Sequence, residues 1–198
     1  SISSVSSETG YIAMLSNESL KLMDTSDQSI RILEPEVNSS VVASSGPLVA
    51  FSGKSPSGPS VNITSADSDL TLTILLDPRS SERIEESIKN SGTSLDFDNS
   101  TVVELVMDSN WLVATVDVGP FNRTILVDTL SINQTLISNP RWDSSSPSIG
   151  DGKIAFLQVT RDSIISSTED SFRNNDVYVY DMESVETIQY TFDEEVNQ

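Results

Sequence analysis

The chain has 198 residues, no cysteine and no histidine, and 11 basic residues against 30 acidic ones, for a net charge of −19. Disulfides, thiolate nucleophiles, the usual Cys/His zinc sites and every histidine-dependent triad are therefore excluded. A phosphate backbone is repelled by such a field, so nucleic acid is not expected as a partner; nor is direct membrane insertion, because no stretch approaches the ~20 apolar residues of a spanning helix.

Along the chain, apolar runs recur as short strands. The first unit, about residues 1–36, has candidate strands at 2–6, 11–15, 20–24 and 29–33. The second, 37–100, has them at 41–44, 47–51 and 73–77; its fourth is placed roughly at 83–88, where RIEESI also fits a helical turn. The third, 101–139, has runs at 101–107, 111–115, 125–128 and 134–138. The fourth, 140–198, has runs at 145–149, 153–157, 176–180 and 186–191, with Gly150-Asp151-Gly152 as a hairpin turn signal. An aspartate ends one phrase of each unit. Asp24, Asp77, Asp128 and Asp181 lie 53, 51 and 53 residues apart. An alanine recurs in each second strand: Ala13, Ala50, Ala114 and Ala155. A fixed period of this length signals a repeat architecture made of one supersecondary unit. The aspartates suit turns, where a carboxylate accepts backbone N–H groups. The alanines suit close approach of stacked sheets.

The phrase SIGDGKIAF at 148–156, followed by NDVYVYDM at 175–182 and TIQYT at 187–191, resembles the repeats of TolB-like, WD-type β-propellers. The resemblance implies an all-β fold of four-stranded antiparallel meanders, either a four-unit propeller or a segment of a larger one, in a single domain over residues 1–198. Such repeats carry no catalytic residues. If the ring is open, an uncovered blade face invites self-association.

Meander parity puts the turns between first and second, and third and fourth, strands on one rim. Connections between second and third strands, and between units, fall on the other. The long segments 52–69, 89–100 and 158–175 all map to that second rim, which marks it as the expected binding face. Candidate contact residues there are Phe97, Phe121, Phe172, Arg161 and Arg173, unless the phenylalanines tuck beneath their own loops. Asp67 and Asp69, and Asp96 and Asp98, offer oxygen ligands for calcium but lack the glycine and distal glutamate of an EF-hand loop. Glycosylation sequons stand at Asn17, Asn38, Asn62, Asn99, Asn122 and Asn133. All but Asn133 map to the second rim, so glycans and a binding face compete for it. No cofactor is expected. Lys54, Lys89 and Lys153 lie in no Ser-Lys motif, and carboxylate pairs alone do not define a catalytic site. The sequence thus points to a non-enzymatic module, extracellular, periplasmic or on the cell surface, that binds a protein or glycan. The alternative is an accessory propeller of a larger hydrolase or transport complex.

Overall fold

The computed structural model describes residues 2–8, 10–16, 19–34, 39–159 and 175–191. Four antiparallel four-stranded meanders follow one another. The first is β1 (Ile2–Glu8), β2 (Tyr11–Ser16), β3 (Ser19–Asp24) and β4 (Ile30–Glu34). The second is β5 (Val42–Ser45), β6 (Leu48–Ser55), β7 (Gly58–Ser65) and β8 (Ser68–Leu75), and it is followed by the helix α1 (Glu82–Asn90). The third is β9 (Thr101–Asp108), β10 (Trp111–Asp117), β11 (Asn122–Asp128) and β12 (Gln134–Leu136). The fourth is β13 (Asp143–Gly150), β14 (Lys153–Val159), β15 (Asn175–Asp181) and β16 (Glu186–Gln189). These are propeller blades. Their innermost strands stack in chain order, β1 on β5, β5 on β9 and β9 on β13. No equivalent stacking joins β13 back to β1 among the described residues, so the four blades form an arc rather than a closed ring.

Side chains alternate across each strand, so every blade has two faces, and in a propeller both are packed. The core accordingly divides into inter-blade layers. Ala13, Leu15, Leu20 and Leu22 of blade one meet Val42, Val49 and Phe51 of blade two. Blade two turns Ala50, Val61, Ile63 and Ile74 toward Leu112, Ala114, Ile125 and Val127 of blade three. Val113 and Leu126 on the far side of blade three meet Ile154, Phe156, Tyr178 and Tyr180.

The register explains the recurring alanines. Tyr11, Leu48, Trp111 and Lys153 each pair with the last residue before the inner hairpin turn, so they are equivalent positions. Two residues on stand Ala13, Ala50 and Val113, which face the next blade in the sequence, and Ala155 on the corresponding face of blade four. Ala114 stands one place later and faces back toward blade two. It shares the small size of the others but not their place in the repeat.

Blade two departs from the expected phase. Its third and fourth strands are β7 and β8, so the segment 52–69 is strand and two hairpin turns rather than a long insertion, and residues 83–88 are helix, not strand. The reason is compositional. Strand β7, GPSVNITS, buries Ser60 and Thr64 along with Val61 and Ile63, and so lacks the apolar run that marks the other third strands. The more apolar TLTILL of β8 mimics one. All four repeat aspartates do accept an N–H two residues ahead: Asp24 from Ser26 (2.8 Å), Asp77 from Arg79 (3.1 Å), Asp128 from Leu130 (3.0 Å) and Asp181 from Glu183 (2.9 Å). Asp24, Asp128 and Asp181 do so between the third and fourth strands. Asp77 does so after the fourth, where the chain leaves blade two for α1.

Because Ala50 is fully buried against blade three, Ala50→Leu is expected to overpack that layer and lower unfolding stability by about 1–3 kcal/mol. Urea denaturation checks this; an unchanged midpoint would mean the layer is looser than described.

Candidate functional site

The rim that carries the connections between blades is organised around one buried cation. Arg123 lies in β11, between Asn122 and Thr124, with its side chain fully enclosed. Its Nη1 donates to the Pro78 carbonyl (2.6 Å) and to Glu85 Oε1 (2.7 Å). Its Nη2 donates to Glu85 Oε2 (3.2 Å) and to the Pro140 carbonyl (2.9 Å). The guanidinium also lies 5.5 Å from the centre of the Phe97 ring and 5.6 Å from that of Phe121. A charge removed from water is tolerated only when paired and hydrogen-bonded. Here a bidentate carboxylate, two carbonyls and two ring faces do that. Two connections far apart in sequence are thereby fixed together: the one after blade two, held at Pro78 and through Glu85 of α1, and the link from blade three to blade four at Pro140.

The helix forms because its sequence suits one at that place. Glu82 and Glu85 occupy the first turn and Lys89 the last, matching the helix dipole. Ser80 donates to Glu85 Oε1 through its N–H (2.6 Å) and its hydroxyl (2.5 Å). The helix ends at Ser91, and Gly92 takes a positive φ of 82°. Ile88 anchors the inner face. Burial raises the Glu85 carboxyl, but the hydrogen bonds from Arg123 and Ser80 outweigh it and leave it below its ordinary value.

Beyond the helix, the chain of residues 91–100 crosses the rim. The Asp96 N–H donates to the Val118 carbonyl (3.0 Å), and Gly119, at a φ of 103°, lets the loop lie against the β10–β11 turn. Between α1 and this loop opens a cavity of about 410 Å3, lined by Glu82, Glu85, Glu86, Lys89, Leu95 and Phe97. Glu85 is committed to Arg123, so Glu82 and Glu86, against the one ammonium of Lys89, and an aromatic ring give it a mildly acidic, partly apolar character, which suits a cationic group with an apolar stem.

Of the residues expected on this rim, Phe97 lines the cavity, half-buried and with Arg79 on its ring at 5.0 Å. Phe121 is buried beside Arg123, which withdraws it from any contact surface. Arg161, Phe172 and Arg173 lie outside the described residues, as do Asn17 and Asn38. Asp67 falls in the β7–β8 turn and Asp69 in β8, so both sit toward the opposite rim, a consequence of the corrected phase of blade two. Asp96 is engaged by the Asn99 N–H (3.0 Å) and the Asn99 amide, while Asp98 lies next to it on the loop. No group of three or more acidic side chains is arranged to hold a metal ion among the described residues. Asn62 is in the body of strand β7, hydrogen-bonded to the Thr73 hydroxyl (2.7 Å), rather than on a rim loop. Asn99 and Asn122 are on the rim, and Asn133 is exposed beside the β11–β12 turn. Arg123 and Glu85 carry no repeat signature. The only trace of the site in the sequence is the spacing of Glu82, Glu85, Glu86 and Lys89, three and four apart as on one helix surface.

On the opposite rim, Lys153 pairs with Asp181, which also accepts the N–H groups of Glu183 and Ser184. The Lys153 hydrogen bond, followed by those backbone donors, holds the Asp181 carboxyl at about 2.

No family model matches the sequence, and no curated protein matches it. Solved structures do match the fold. The tricorn protease superposes with a TM-score of 0.69 at 17% identity, over 98% of this chain and 17% of its own. The β-propeller domain of the trilobed protease from Pyrococcus furiosus gives 0.62 at 13%, over 96% of this chain and 57% of its own. A putative TolB from Agrobacterium tumefaciens gives 0.57 at 12%, over 91% and 60%. The chain thus spans less than two thirds of each of these proteins. The class is that of a β-propeller, with blades like those of TolB and of protease propeller domains.

The Arg123–Glu85 pair generates two expectations. Glu85→Gln leaves a buried guanidinium without its counter-charge and is expected to cost about 3 kcal/mol at pH 7. Because the folded carboxyl titrates below its unfolded value of 4.5, its contribution is complete above that pH and is lost as pH falls through the folded value. The stability gap between wild type and variant, followed by urea denaturation, should therefore narrow below pH 4.5; a constant gap would show that the charge is immaterial. Separately, Lys153→Met is expected to move the Asp181 carboxyl from about 2 toward 3.8 in an NMR titration. No movement would assign the shift to the turn N–H groups alone.

Proposed function

We propose that this chain is a non-enzymatic, extracytoplasmic interaction module, and that its contact surface is the rim bearing α1 and the 91–100 loop. The observation that carries the reading is the cavity between them, where Glu82, Glu85 and Glu86 stand beside the Phe97 ring. A lysine or arginine side chain of a protein or peptide partner fits this chemistry: carboxylates for the charge, and the Leu95 and Phe97 surface for the stem. The rigid support from Arg123 favours a preformed site over one that must order on binding. The net charge of −19 adds long-range attraction for a basic partner and limits adhesion to anionic surfaces. Glycan binding and glycosylation at Asn99 or Asn122 are the competing uses of the same rim.

A second reading, an accessory propeller within a larger hydrolase or transport assembly, draws on the likeness to protease propeller domains and is a fold analogy. Both readings share the rim as the contact surface.

Fluorescence anisotropy with labelled basic, neutral and acidic peptides tests the proposal. Binding of the basic set is expected to weaken at least about fivefold in the Glu82→Gln/Glu86→Gln variant and in Phe97→Ala. Neutralising Asp151 and Glu183 on the opposite rim controls for net charge and should have a much smaller effect. Equal loss in both charge variants would reduce the attraction to bulk electrostatics and remove the cavity from consideration.

A further inference from the structure

The charges that line the cavity between α1 and the 91–100 loop are divided by sign along the helix. Glu82 and Glu86 stand one turn apart, and Lys89 stands three residues beyond Glu86; all three are exposed and line the cavity. At a rise of about 1.5 Å per residue, Lys89 lies about 4.5 Å further along the axis than Glu86 and about 10 Å further than Glu82. A glutamate four residues before a lysine on a helix is placed to pair with it. Glu85 holds that position, but Arg123 has taken its carboxylate. Among the described residues, no ion pair or side-chain hydrogen bond engages Glu82, Glu86 or Lys89. The buried guanidinium thus leaves the Lys89 ammonium in the cavity wall without its helical partner.

The end of the helix at Lys89 is able to receive an anion. Its last carbonyls are already satisfied: that of Ile88 accepts from the Ser91 N–H (3.1 Å) and the Ser91 hydroxyl (2.6 Å), and that of Lys89 from the Gly92 N–H (3.0 Å). Ser94, in the loop that follows, adds a hydroxyl to the lining. The helix dipole, about half a charge at each end, opposes an anion here and a cation at the other end, but two full carboxylates and one ammonium outweigh it.

We propose that this cavity takes the free C-terminal residue of a peptide ending in lysine or arginine. Glu82 and Glu86 receive the side-chain cation, Leu95 and Phe97 the apolar stem, and Lys89 with Ser94 the terminal carboxylate. The proposal rests on the reading of the cavity as a cation site and adds the anion to it. At about 410 Å3 the cavity is at the small end of ligand pockets, which suits one end residue better than a length of chain. A basic residue within a chain has no carboxylate to offer, and leaves Lys89 opposed to another cation. Free lysine and arginine have the carboxylate, but their α-ammonium stands against Lys89 where a peptide has an uncharged N–H.

Fluorescence anisotropy on the 198-residue chain tests this with labelled glycine–serine peptides that end in lysine as the free acid, in lysine amide, or in alanine as the free acid. The lysine acid is expected to bind about three- to fivefold more tightly than its amide, the effect of one exposed ion pair, and more tightly than the alanine acid. Lys89→Met should erase the difference between acid and amide, and Lys89→Arg should keep it. Glu82→Gln/Glu86→Gln should weaken acid and amide by the same factor. Unlabelled free lysine should displace the peptide less well than the unlabelled peptide acid does. Acid and amide binding equally, with both weakened in Glu82→Gln/Glu86→Gln, overturns this inference and leaves the cation site standing. No binding by any basic peptide overturns both. A preference for the acid that survives Lys89→Met puts the carboxylate elsewhere and overturns the inference, as does free lysine that competes as well as the peptide acid.

Discussion

Arg123 is the group on which the functional rim depends. A guanidinium with no exposure is among the most expensive things a fold can enclose, and it is tolerated here because both terminal nitrogens donate to assigned acceptors, while Nε alone is left without one among the described residues. Pro78 and Glu85 supply those acceptors from the connection between blades two and three, and Pro140 from the connection between blades three and four. The rings of Phe97 and Phe121 close the remaining faces. The helix is oriented by Glu85, the 91–100 loop by Phe97 and by its backbone bond to Val118, and the cavity is the space left between them. A salt bridge at the surface could not do this, because solvent would compete for both partners.

The blades answer to a different constraint. Each must be apolar on both faces, which leaves the period-two alternation to set size rather than polarity. In blades one and two the small Ala13 and Ala50 face the next blade, with Val49 and Phe51 beside Ala50 facing the preceding one, whereas blade three reverses this, Val113 facing blade four and the smaller Ala114 facing blade two. Residue volume at adjacent strand positions thus sets how closely each pair of blades approaches.

Much of this was legible in the sequence and some was not. The turn aspartates Asp24, Asp128 and Asp181, the strand runs of units one, three and four and the hairpin at Asp151 and Gly152 all appear where the repeat puts them. The positive φ of 49° and 70° at those two residues is what a two-residue turn requires. Blade two was misphased because strand identity was inferred from apolar content. β7 reaches burial with Gly58, Pro59, Ser60 and Thr64, small or hydroxyl-bearing residues that fit a crowded layer. Arg123 was invisible for a deeper reason: in sequence it interrupts an apolar strand, and only the fold brings Glu85 to it across 38 positions. The loop position of Phe121 points to exposure, whereas its ring covers the same cation.

The two rims differ because their turns are under different control. On one, each connection joins adjacent strands in register, and an aspartate or a positive-φ residue fixes its length. A longer turn there would unpair the hairpin. On the other, the links between blades need only span from an outer strand to the next inner one, so added chain costs little. Between blades two and three that allowance is filled by α1 and its following loop, while β5 still stacks on β9 as β1 does on β5. Stacking fixes the positions of the blades, and the buried cation fixes what is laid across their edge. A site can therefore change on this rim without disturbing any inter-blade layer, provided that Arg123 keeps its carboxylate.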